Sequence, residues 1–259
     1  MKKRYLFFGV LAYAVFLLAT LPASWLAWGL HHLSQGKVLL DQTAGSAWVG
    51  AGRLYVSDAK GSDHELGRAR WRLSAARLLL LQVRTQVRVS GQQSELFANV
   101  TLTPWRLSLS ETRLSASAQL ATLLYPPASL FAPLGQLRLR TDSLALGRDG
   151  LQGAAEVYWD QAGSDLSAVR PLGDYRVDIA ARGKEATLKL TTAKGPMDLT
   201  GQGRWQILGS GQLQLSGTAR ATARADELQP LLRLMGRNVG GGRTAFSVRA
   251  PLKIRWPLL

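Results

Sequence analysis

From residue 66 to residue 224 apolar and polar side chains alternate with a period of two, broken only by short glycine, proline or polar stretches. Strands with one covered face and one wet face produce this pattern, and it is typical of antiparallel sheets. Ala69, Trp71 and Leu73 alternate with Arg68, Arg70 and Arg72, and Leu81, Val83, Val87 and Val89 alternate with Gln82, Arg84, Gln86 and Arg88. Ala98, Val100 and Leu102 follow, then Trp105, Leu107 and Leu109, with Pro104 marking a bend, and then Leu114, Ala116, Ala118 and Leu120. Further on, Tyr175, Val177 and Ile179, then Ala186, Leu188 and Leu190, then Met197, Leu199, Trp205 and Ile207 each share a face. Turns at Arg182-Gly183-Lys184 and Lys194-Gly195-Pro196 are short enough to close hairpins. Leu213, Leu215, Ala219, Ala221 and Ala223 form a last long strand.

Two stretches depart from the alternation. Residues 123–135, with Pro126, Pro127 and Pro133, read either as a boundary between halves at 43–122 and 136–259 or as one long loop. Near the C-terminus one short helix is predicted: Asp226 is placed to cap it, Leu228, Leu231, Leu232 and Met235 fall at helical spacing, and Gly236 stops it. Pro230 is tolerated in its first turn. Gly240-Gly241-Gly242 then leads into a final pair of strands through Phe246 and Val248 and through Ile254 and Trp256.

Residues 5–30 carry no charge at all. About 20 apolar residues span a hydrocarbon core, so this run predicts a single transmembrane helix. Lys2, Lys3 and Arg4 flank it on one side, and the first charge beyond it is Lys37. Basic flanks stay on the cytoplasmic side. The expected layout is a cytoplasmic tail at 1–4, the span at 5–30, a connector at 31–42 and an exported β domain at 43–259. A cleaved signal peptide is the rival reading, with Leu21-Pro22-Ala23 as its cut site. A signal core runs about 7–15 residues, whereas Trp25 and Trp28 prolong the apolar run and suit an interfacial aromatic belt, so the uncleaved anchor is favoured.

The formal net charge of +15 invites a nucleic-acid reading, but Arg outnumbers Lys by 24 to 8 and the arginines are spaced singly along strands. No basic helix or tail gathers them, so nucleic acid is not expected as a partner; a solvated basic face is the plain reading, and attraction to an anionic membrane surface is the alternative. The chain has no cysteine, hence no disulfide and no thiolate metal site. Catalytic chemistry has little to work with. The histidines are His31, His32 and His64; the first two are neighbours that point to different sides of a helix, and the third sits in a turn between Asp63 and Glu65. No metalloprotease, serine-hydrolase or phosphate-loop pattern occurs, and Gly240-Gly241-Gly242 lacks the Lys-Ser/Thr that would grip phosphate. Trp71, Trp105, Trp159 and Trp205 are in phase with apolar neighbours and are expected to fill the core rather than stack on ligands. Neither enzyme, cofactor nor metal is expected.

Several segments, in order, resemble protein N of the bacterial type II secretion system: Gly45-Ser46-Ala47-Trp48-Val49-Gly50, the strand from Leu66 to Leu73, and Pro171-Leu172-Gly173-Asp174-Tyr175. The run from Gly195-Pro196-Met197 to Gly203-Arg204-Trp205 and Leu231-Leu232-Arg233-Leu234-Met235-Gly236 continue the series. The resemblance implies a mainly β, non-enzymatic accessory of the secretion machine in the bacterial inner membrane, with a periplasmic domain and other secretion subunits as partners. The alternating sheet is also similar in architecture to AsmA-like proteins. That likeness implies a curled or open sheet with an apolar trough for lipid chains, for which Leu188, Leu199 and Leu213 are the candidate lining. An outer-membrane barrel is a third reading of many alternating strands. The anchor has a direct check: the intact mass of membrane-extracted protein should include Lys2, Lys3 and Arg4, and a mature chain starting near residue 24 would refute it.

Overall fold

The computed structural model describes residues 20–58, 61–74, 81–124 and 126–252, together with Tyr13, Phe16, Leu17 and Ala19. A single antiparallel sheet of fourteen strands dominates them. In chain order the strands are β1 Val38–Gly45, β2 Val49–Ser57, β3 Asp63–Ser74, β4 Val83–Ser90, β5 Ser94–Thr103, β6 Arg106–Ser117 and β7 Pro133–Gly147. There follow β8 Gly150–Ser164, β9 Gly173–Gly183, β10 Glu185–Lys194, β11 Met197–Gln206, β12 Gln212–Ala221, β13 Gly236–Gly240 and β14 Arg243–Pro251. Helix α1 is Ala23–Leu33, α2 is the single turn Ala121–Leu124, and α3 is Ala225–Met235.

Each strand pairs with the next as far as β12. The chain then crosses through α3 to the outer edge as β13 and turns back as β14, which inserts between β12 and β13. β1 and β13 are therefore the two edges, and the sheet is open. Closure into a barrel would require those two strands to pair, so the barrel reading fails.

One face is apolar from end to end because β-bulges correct the phase. In β6 the apolar positions are odd at Leu107 and Leu109 but even at Leu114 and Ala116; the extra residue is Glu111, with φ of 48°. Both pairs consequently meet leucines of β7, Leu146 and Leu144 on one side of the bulge, Leu139 and Leu137 on the other. A register shift between Arg140 and Ser143 does the same for β7 against β8. Without these insertions half of each strand would turn its leucines to water.

Two helices cover the ends of the apolar face. Ala23, Leu26, Ala27 and Leu30 of α1 pack on Leu40, Ala69, Trp71 and Val89. Leu228, Leu231 and Leu232 of α3 pack on Tyr175, Leu190, Leu199, Ala219 and Phe246. Each cluster contains an aromatic ring laid over glycine. A Cβ at Gly50 would lie 2.5 Å from the Trp71 ring, and one at Gly217 would lie 2.9 Å from the Phe246 ring. Here glycine is needed for close approach, since the ring occupies the space a side chain would take. A third cluster, Leu151, Ala181, Ala186 and Ile207, has no helical residue packed on it among the described residues.

The structure revises several expectations. The expected span does not run unbroken to Leu30: Pro22 is extended and pairs with Ser46, and the residues after it belong to α1, whose inner side lies on the sheet. Among the described residues no helix is long and apolar enough to cross a membrane. Residues 1–12 lie outside them. The expected connector is instead the end of α1, a turn and the start of β1. The proposed halves share one sheet, because β6 pairs directly with β7 across the proline-rich stretch. Trp105 does not fill the core; it sits in the β5–β6 turn, 60% exposed. Arg224 rather than Asp226 holds the N-cap position of α3, in the left-handed conformation, while Asp226 and Glu227 occupy the first turn, where the helix dipole favours them. β13 was not foreseen, and Ile254 and Trp256 lie outside the described residues.

Leu228 is fully buried between α3 and the sheet. Leu228→Ala should destabilise the protein by about 2–5 kcal/mol, measured by urea unfolding.

Candidate interaction surfaces

The three leucines proposed from sequence to line a trough share the apolar face, but they differ in access. Leu199 is buried beneath α3, whereas Leu188 and Leu213 are half-buried. The more accessible apolar stretch lies between the two helices. There Leu102 of β5, Leu107, Leu109 and Leu114 of β6 and Leu137 and Leu139 of β7 are half-buried and belong to none of the three buried clusters. Registers join them into rows across the sheet, Leu102–Leu107 and Leu114–Leu139 among them. Each of these leucines is visible in the alternation. What the alternation does not show is where the helices land, and so which part of the face stays open.

The polar face is electrostatically uneven. On β7–β9 the cations are matched by carboxylates: Arg138 pairs with Asp160, and Arg176 donates to Glu156 and Asp178 at 2.7 Å each. Tyr158 donates to Glu156 at 2.8 Å, and the guanidiniums of Arg138, Arg140 and Arg176 lie within about 6 Å of its ring. The hydrogen bond to Asp160 raises Arg138, and that to Asp178 raises Arg176. These pairs are partly exposed, so each adds little net stability.

On β2–β7 cations also oppose cations, although Arg53 keeps Glu65 at 4.0 Å. Arg53 stands opposite Arg68, Arg70 opposite Arg88, and Arg113 opposite Arg140. Like charges directly across a ladder repel. Among the described residues Arg88 finds only the ring of Phe97, 5.2 Å away. A depression of about 410 Å³ borders these strands, with Arg88, Phe97, Arg113 and Arg140 in its lining.

The titratable groups singled out from sequence are structural where described. His32 sits in the last turn of α1, with Nδ1 3.0 Å from the Trp28 carbonyl and its ring 4.3 Å from that indole. His64 Nε2 lies 3.3 Å from Asp58. Among the described residues no group of three or more His, Asp or Glu could hold a metal ion. Tyr175 is the clearest buried titratable group: its hydroxyl donates to the Met197 carbonyl at 3.0 Å, and burial pushes the phenol up. That role is in the core. Gly240-Gly241-Gly242 spans the turn between β13 and β14, and Lys2, Lys3 and Arg4 lie outside the described residues.

The two edges offer backbone for pairing. All five residues of β13 are exposed, and the strand is interrupted by a register shift between Asn238 and Gly240. β1 shifts register between Asp41 and Ala44, where Gln42 has φ of 47°. Bulges restrict an edge to short partners.

Compared with known proteins, residues 36–247 match a family model described as type II secretion system (T2SS), protein N. No curated protein and no solved structure matches the chain. The opposed arginines lead to one expectation for stability. Arg113→Ala should raise stability by about 0.2–1 kcal/mol at low salt, and the gain should shrink as salt screens the repulsion, as read from urea midpoints.

Proposed function

The chain belongs to the type II secretion system protein N family, and from that premise we propose that it is a non-enzymatic accessory of the secretion machine. In this reading the uncharged N-terminal run holds the chain in the inner membrane with its tail cytoplasmic, and the sheet stands on the periplasmic side. There it binds other secretion subunits and supports export across the outer membrane. The carrying observation is the open sheet, whose outer strand β13 is exposed along its whole length. Unpaired edge groups accept a strand from another chain, and main-chain hydrogen bonds then supply the affinity.

Val239 tests this reading, because it lies in the β13 irregularity and has no partner on β14. A proline there removes an edge donor without costing a known rung of the β13–β14 ladder. Tagged protein isolated from intact membranes should bring secretion subunits with it, and Val239→Pro should lower that recovery several-fold. If the wild-type chain is absent from such complexes, the assembly role is wrong.

A second reading is lipid handling, favoured by the uncovered leucines of β5–β7. Photocrosslinkers at Leu109, Leu139, Leu188 and Leu213 should capture lipid if acyl chains occupy that face. Protein adducts alone would reject it.

A further inference from the structure

Antiparallel connectivity places every second turn at the same end of the sheet. The end that holds the β1–β2 turn also holds the turns leading into β4 and β6. It is where the N-terminal segment arrives, because the Ala47 amide donates to the Leu21 carbonyl at 2.8 Å and Pro22 bridges to Ser46. Strands are about 4.8 Å apart, so the turn ends of β2–β6 span about 20 Å along the sheet.

Three exposed apolar residues stand on this arc: Val49 at the start of β2, Leu81 before β4 and Trp105 before β6. Leu81 is 67% exposed and Trp105 60%. Interleaved with them are Arg72, opposite Val49, and Arg84 and Arg106, all exposed. Among the described residues these three turns contain no carboxylate. The opposite end also has exposed apolar residues, such as Leu166 and Leu234, but there the charges are matched, Asp165 by Arg170 and Glu227 by Arg224. Exposed apolar area is therefore common to both ends, and what sets the β2–β6 arc apart is that its cations have no carboxylate in the same turns.

We propose that the turn ends of β2–β6 form a docking surface for an anionic bilayer, with Trp105, Leu81 and Val49 entering the interface and Arg72, Arg84 and Arg106 meeting lipid phosphate. Indole suits the headgroup level because it is apolar with a single polar handle, and arginine stems lie along the interface while their guanidiniums stay wet. Each cation near an anionic surface adds attraction that decays within a Debye length. The unmatched arginines behind this arc, Arg70 opposite Arg88 among them, contribute to the same positive field. The surface would hold the first strands against the membrane and project the end bearing α3 away from it. The docking deepens the inner-membrane reading and rests on it only for the side from which the N-terminal segment arrives.

The chain is free of cysteine, so single labels can be placed on the full-length protein. Leu81→Cys, Trp105→Cys and, at the opposite end, Leu234→Cys would carry an environment-sensitive fluorophore in nanodiscs of phosphatidylcholine with phosphatidylglycerol. Labels at 81 and 105 should shift to the blue and be quenched several-fold more by spin-labelled lipid than the label at 234. Arg84→Gln combined with Arg106→Gln, or pure phosphatidylcholine, should reduce that quenching. If all three labels are equally wet, the docking is overturned. If 81 and 105 are shielded equally in neutral and anionic discs, the role of the net negative charge of the bilayer is overturned. Alkaline carbonate extraction of the same protein reports separately on the anchor. Resistance to extraction with wet labels rejects the docking alone, while release by carbonate with shielded labels rejects the anchor and retains the docking.

Discussion

An open sheet leaves a whole apolar face in need of cover, and this requirement organises the rest of the molecule. A sheet packed against its own continuation, as in a sandwich or barrel, solves the problem internally. Here the first and last strands never meet, and the cover comes from two helices at opposite ends of the face. The glycines at 50, 201 and 217 follow from the same need, since Trp71 and Phe246 lie flat over them and extend the cover sideways. What remains uncovered is the leucine-rich centre, and its position is determined by how far each helix reaches.

Most of the sheet was legible in the residues because each strand has a wet side and the period of two is hard to mistake. The alternation even recorded the bulge at Glu111, as a change from odd apolar positions at Leu107 and Leu109 to even ones at Leu114 and Ala116. What escaped were features decided by packing. α1 reads as the end of a membrane span because Ala23, Leu26, Ala27 and Leu30 are equally apolar whether they meet lipid or Leu40 and Trp71. Trp105 is in phase with Leu107, and nothing in its identity shows that the strand begins one residue later. β13 is Gly-Arg-Asn-Val-Gly, with neither alternation nor β-propensity, and it becomes a strand because β14 offers it a free edge.

The polar face shows why net charge alone says little about a partner. Carboxylates of β8 and β9 bind Arg138 and Arg176, whereas Arg70 and Arg88, and Arg113 and Arg140, face each other across the ladder with no ion pair among the described residues. Uneven placement costs cross-strand repulsion and leaves one region of the surface strongly positive.

The order of the last two strands bears on how the molecule is made. Because β14 lies inside β13, the outer flank of β12 has nothing to bind until the final thirty or so residues have emerged, α3 included. A chain synthesised from its amino end can zip β1 to β12 step by step through neighbouring hairpins, then must pause with a long naked margin along β12. That margin is wider than the short, kinked one that replaces it, so during biogenesis the nascent sheet passes through a stickier form than the finished one.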